Sequence, residues 1–262
     1  PDLKRYKKDE ISFNISHETF AKNVFNYAAN VAVGKVAGAL GDHITIDDVG
    51  RREQYLVNLN GYRYLLAGGN LKKLLRFKNN QLQLSLNGQF NFRNSPNVIN
   101  GQENISYVTS KDAGLSLYYS FKELLGFELK QSYTNYLSKQ SNALSAAFKS
   151  QFWTTSFAGT VQFTKKLRLC SDVQYKRNAT SFSAPINYTI WNAHIILRIL
   201  KSNNLECKFS ALDLLGQNNV LSNTGHNNLI TQSLSNSLQR YYMLTLAFYP
   251  RKFGKADKAS TE

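Results

Sequence analysis

The chain has 262 residues, 42% of them hydrophobic and 19% charged, with a mean hydropathy of −0.38. No apolar run approaches the ~18 residues of a transmembrane helix, so any passage through a membrane must be made by strands. The formal charge of +15 comes from lysines and arginines scattered along the chain rather than gathered on one helix or stripe, which argues against a nucleic-acid partner and for basic rims and loops.

Read from the N-terminus, Ile11, Phe13 and Ile15 alternate with Ser12, Asn14 and Ser16, and Phe25, Tyr27, Ala29, Val31 and Val33 form a longer second run. Alternation of period two describes a strand with one apolar and one polar face. The stretch "GDHITIDD", residues 41–48, reads as an outer loop. Its His43, near Asp42, Asp47 and Asp48, has the residue types that position a water or bind a metal, although a solvated acidic loop accounts for them without such a role. Tyr55, Val57 and Leu59 make a third, less regular run.

The clearest alternation is "QLQLSLNGQFNFRN", residues 81–94, where Leu82, Leu84, Leu86, Phe90 and Phe92 share one parity that only Gly88 interrupts. It outruns the ~5–6 residues of an ordinary strand and approaches the ~9–11 that a tilted strand needs to cross a bilayer. Further runs cover residues 115–121, 127–133, 153–163, 167–175, 191–199, 205–209 and 242–248. That makes about eleven strands and no helix, an all-β chain.

The connections alternate in character. Short links such as residues 164–166 and 201–204 alternate with long polar segments such as 94–106 and 216–233. Short turns at one end and long loops at the other describe an antiparallel transmembrane β-barrel. A soluble β-sandwich adhesin has shorter strands and a covered apolar face. Residues 1–254 form one unit with no linker, followed by a polar tail over residues 255–262. Pro1 has neither an initiator methionine nor a signal peptide ahead of it, so a mature or truncated chain is expected. Cys170 and Cys207 fall on non-adjacent strands and opposite parities, so no disulfide is expected.

Strand parity turns Arg93, Lys130, Arg168, Asp172, His194 and Arg198 inward, where a charge meets water or another protein segment rather than lipid. A partner on the neighbouring strand explains each of them as well as a ligand does, and as a set they lean towards an anionic ligand. His17, His194 and His226 are isolated and form no metal-ligand spacing. No catalytic residue, metal or cofactor is expected, and the chain reads as a non-enzyme.

Several segments carry a resemblance. "PDLKRY" at residues 1–6 resembles the N-P-x-L-K-P-E stretch of TonB-dependent receptor barrels, with Arg5 and Tyr6 in place of Pro-Glu. "VINGQENIS", "INYTIWNAHI", "DLLGQNN" and "RYYMLTLAFYPRKFG" resemble, in order, the closing half of the Bacteroidetes-type TonB-dependent outer-membrane β-barrel family, whose counterparts of the last two read D-L-L-N-Q-N and R-Y-F-M-L-S-F-T-Y-N-L-R-K-F-G. Gly216 departs from the family's Asn, and the tail extends past Phe253.

The resemblance implies a 22-stranded barrel of which this chain is roughly the C-terminal half, in the outer membrane of a Gram-negative bacterium. It implies as partners the N-terminal barrel half and a plug domain, the TonB system acting through that plug, lipid and lipopolysaccharide, and an unidentified nutrient ligand. The alternatives are a receptor-like barrel serving as a structural subunit of a surface or secretion complex, a soluble adhesin and a barrel enzyme.

Overall fold

The computed structural model describes residues 3–19, 23–122, 124–142, 147–200, 203–226, 229–236 and 238–250. These form fifteen strands and no helix: β1 (Lys7–His17), β2 (Val24–Ala37), β3 (Ala39–Ile46), β4 (Arg52–Leu59), β5 (Tyr62–Arg76), β6 (Asn80–Ile99), β7 (Gln102–Phe121), β8 (Leu125–Gln140), β9 (Phe148–Gln162), β10 (Leu167–Thr180), β11 (Ser183–Ile199), β12 (Leu205–Leu212), β13 (Asn219–His226), β14 (Leu229–Asn236) and β15 (Tyr241–Phe248). Eleven of them make one antiparallel path, β1-β2-β5-β6-β7-β8-β9-β10-β11-β12-β15. The β3–β4 hairpin branches from it to make a thirteen-stranded sheet, and β13–β14 form a separate hairpin.

The all-β expectation holds, but there are fifteen strands rather than about eleven, residues 216–233 are largely the β13–β14 hairpin rather than a long loop, and three further stretches depart from the sequence reading. The strand at β5 is not expected, because the doublets Leu65-Leu66, Gly68-Gly69 and Lys72-Lys73 hide its period of two. Residues 41–48 are largely strand β3 rather than loop, and its Ile44 is fully buried. Residues 94–106 are not a loop either. They extend β6 and β7 to a two-residue turn at Asn100 (φ 50°) and Gly101 (φ 77°), the Asn-Gly chemistry of a type I′ hairpin.

The sheet is open. Among the described residues β1 pairs only with β2, and β15 only with β12. Every neighbouring pair on the eleven-strand path is antiparallel, so these two edge strands run in the same direction. The unexpected short parallel contact lies off the path, where His43 and Ile44 of β3 meet Val98 and Ile99 of β6.

Register separates two faces across the whole path. One carries Phe121, Leu125, Val161, Leu169, Ile195, Phe209 and Leu244 in a single cross-strand row, and many of its large side chains are exposed, including Phe157 at 49% and Leu244 at 67%. The other is polar, as in the row Asn14, Asn30, Gly68, Gln89, Asp112 and Thr134. Gly88, the exception within the alternation of β6, lies on the apolar face in a row of small residues, Ala29, Gly69, Gly88 and Ala113. Cys170 and Cys207 lie on opposite faces of the sheet and are free.

The apolar band runs obliquely to the hydrogen-bonded rows. The row through Phe13, at the middle of the apolar run of β1, reaches β7 at Lys111. The row through Leu244 in β15 reaches β7 at Phe121, ten residues beyond Lys111. The band therefore climbs by about one residue per strand, and a rise of about 3.4 Å per residue over a strand spacing of about 4.8 Å inclines it by about 35° to the rows. Lysines on this face stand at its margins. Lys111 precedes the apolar run of β7 and lies over Phe90 at 5.9 Å, and Lys73 follows that of β5 and lies over Phe25 at 5.1 Å.

Candidate functional site

The six charged candidates all lie on the polar face, and the register decides what each can do. Lys130 pairs with Glu128 at 2.8 Å, two residues away on the same strand and face. Arg168 donates to Gln162 across the β9–β10 ladder at 2.8 Å. Asp172 accepts from Asn192 at 2.8 Å, and Arg198 pairs with Glu206 at 3.0 Å, each across a ladder. The last three hold their strands together, while the Lys130 pair stays within β8. His194 sits between Cys170 and Ser210 in one row, and its Nδ1 and the Ser210 hydroxyl are both buried with no hydrogen-bond partner among the described residues.

Arg93 differs from the four paired residues. It forms no hydrogen bond or ion pair among the described residues, its Nε is sealed from solvent, and it lines a cleft of about 770 Å³ on the polar face. The cleft lies between β1 and β8 and is walled by Tyr6, Tyr62, Tyr64 and Tyr136, with Asn91 and Ser110 among its polar groups. Tyr62 and Tyr64 present tilted rings with centroids 6.0 Å apart. The second cation of the cleft, Lys8, is neutralised by Glu10 at 2.8 Å, and Glu10 also accepts a short hydrogen bond from the Tyr64 hydroxyl. Arg93 is thus the cation of this cleft that no carboxylate among the described residues neutralises. A guanidinium presents a planar fork of donors that matches a carboxylate or phosphate.

Above the cleft, a buried amide network ties the extended β6–β7 hairpin to β8. Asn97 donates to Ser106 at 2.8 Å, Asn104 donates to Asn97 at 2.7 Å, and Ser106 donates to Gln140 at 2.7 Å. Buried polar groups satisfied in this way fix one arrangement of the rim.

The histidine of residues 41–48 is not the centre of an acidic cluster. His43 stacks on Tyr55 with centroids 4.5 Å apart, Asp42 accepts from Gln54 at 2.7 Å, and Asp47 is engaged by the Arg51 side chain at 2.6 Å. Among the described residues no three His, Cys, Asp or Glu side chains gather as a metal site.

No protein-family model matches this chain, nor does any curated protein.

One quoted motif has a visible structural reason. In "DLLGQNN" the carboxylate of Asp213, only 2% exposed, accepts from the backbone N–H of Gln217 and of Asn218, each at 3.0 Å. Gly216 holds φ at +64°, a conformation that glycine adopts readily and asparagine more often than most other residues.

The residues missed by sequence reasoning are Tyr62, Tyr64 and Tyr136. The "YRY" spacing at 62–64 was the available signal for the first two, with alternate tyrosines on one face of a strand. Phe253 and residues 255–262 lie outside the described residues.

Proposed function

We propose that this chain is part of the wall of an outer-membrane β-barrel transporter, with its apolar face against lipid and its polar face lining the passage. The observation that carries the reading is the oblique apolar band. An exposed apolar face of this extent in a soluble protein marks a surface that another layer must cover. Its inclination of about 35° to the rows is what strands tilted as in a β-barrel would give against a level apolar belt, and the lysines at its margins suit headgroup contact.

The open edges give the next step. Unpaired backbone groups in lipid cost several kcal/mol each, so β1 and β15 need partner strands. Single-chain bacterial barrels have even strand numbers, and eleven strands therefore call for an odd complement. The eleven supplied by the other half of a 22-stranded barrel satisfy this. Energy coupling through TonB and a plug, and nutrient uptake as the purpose, rest on the resemblance of the quoted segments.

Cysteine scanning on intact cells tests the placement. A cysteine at Gln102, beside the β6–β7 turn, reacts with a membrane-impermeant maleimide, and one at Lys78, in the short turn at the opposite end, reacts only after lysis. Equal labelling of both before lysis contradicts the proposal.

A further inference from the structure

We infer that the Arg93 cleft is a binding site for a carboxylate carried on a ring, either a uronic acid unit of an oligosaccharide or an aromatic acid. The site stands on the cleft itself. Only the ligand's route to it rests on the transporter reading.

The argument begins with what is left over. A buried guanidinium N–H without an acceptor is costly, and native structures seldom leave one without a reason. Four other charged residues of the polar face have found a partner, and Lys8 in the same cleft has Glu10. Arg93 has none among the described residues, although it is cross-strand neighbour to Tyr64 on one side and to Val108 on the other. A guanidinium presents a planar fork that matches a carboxylate in bidentate fashion.

The walls set the rest of the ligand. Tyr62 and Tyr136 give the cleft aromatic walls, and Tyr64, packed on Gly34 with its hydroxyl on Glu10, holds the wall between them in place, which suits a ligand body that stacks. At about 770 Å³ the cleft is within the range of about 300–1,000 Å³ typical of small-molecule sites. Glu10 lies on the same wall but is tied to both Lys8 and Tyr64, so its negative charge is offset before an anion arrives.

The test uses the full-length protein purified in detergent from the cells that make it, with digalacturonate, its methyl ester and benzoate as probes in equilibrium dialysis. At least one of the two acids binds, and which one tells the sugar acid from the aromatic acid. If it is the sugar acid, the uncharged ester binds about tenfold or more weakly, as expected for loss of a charge-assisted pair. Arg93→Gln removes a similar factor from the acid and leaves any ester binding as it was. Arg93→Lys, which keeps the charge but loses the fork, recovers part of the acid's affinity, so a folding failure in the first variant does not end the test. Tyr62→Ala weakens whichever acid binds.

Absence of binding by both acids, or acid binding that Arg93→Gln and Arg93→Lys leave unchanged, overturns the site. Fractionation of the same cells reads the membrane placement separately, so loss of the site and loss of the transporter reading are distinct results.

Discussion

The ring of Tyr64 on β5 lies across Gly34 of β2 and fills the space that a Cβ there would occupy. Its hydroxyl then reaches Glu10 on β1, so one side chain bridges three strands at the edge of the candidate cleft. Gly34→Ala drives a methyl group into the ring, and overpacking of this kind costs about 1–3 kcal/mol. Tyr64→Phe keeps the ring over the glycine and loses one hydrogen bond, a cost of about 1 kcal/mol. Urea unfolding of the two variants, with Gly34→Ala the more damaging, checks this order.

The turn after β12 makes a second pair of expectations. Asp213→Ala leaves the N–H groups of Gln217 and Asn218 without their acceptor and costs about 1–3 kcal/mol. Gly216→Asn restores the residue of the resembling family at φ +64° and changes stability by less than about 1 kcal/mol. Limited proteolysis around residues 213–218 separates the two, with faster cleavage expected only for Asp213→Ala.

These positions also mark how far sequence reasoning reaches. Alternation made β6, β11 and β12 legible, since it is broken only by Gly88 in the first run and by Ile196 over residues 191–199 of the second. The doublets of β5 concealed it, and with it the Tyr62–Tyr64 wall of the cleft. The polar composition of residues 94–106 read as a loop because the burial of Asn97 and Asn104 depends on partners in β7 and β8 that no local pattern reveals. Parity put the six charged residues on one face, but which of them is unpaired follows from cross-strand register. Arg168 meets Gln162 and Arg198 meets Glu206, and only alignment of separate strands identifies Arg93 as the one left in the cleft.

Acidification loosens the β3–β4 turn. The Arg51 guanidinium holds the Asp47 carboxyl below the usual carboxylate range, with the backbone N–H groups of Arg51, Val49 and Gly50 adding to the effect. A depressed pKa contributes stability that is complete above the unfolded value and disappears as pH falls through the lower folded value. Amide exchange at Val49 and Arg51 should therefore accelerate, relative to its intrinsic rate, as the solution is taken below the ordinary carboxylate range. In Asp47→Asn the step should be absent, and a step of the same size in that variant rules the carboxylate out as its cause.

Because β1 and β15 run in the same direction, two copies of this sheet standing side by side in the same orientation meet through parallel seams rather than the antiparallel ones of a bacterial barrel. Residues 1–262 refolded by themselves in liposomes should give open or aggregated sheets, seen as protease sensitivity and the absence of heat-modifiable gel mobility. A monodisperse, protease-resistant, heat-modifiable monomer contradicts the need for complementary strands.

The most direct test of the account asks which face of β6 meets lipid. Leu86 lies on the apolar face near the middle of the band, and Gln89, three residues on, lies on the polar face opposite Asp112. Spin labels placed at each position in the full-length protein in native membranes report their surroundings through collisions with oxygen, which partitions into lipid, and with a water-soluble nickel chelate. The label at Leu86 should favour oxygen and the label at Gln89 the chelate. Leu86→Arg should also cost about 2–4 kcal/mol where Gln89→Arg costs much less. Equal accessibility to the chelate on both faces contradicts a membrane-spanning wall.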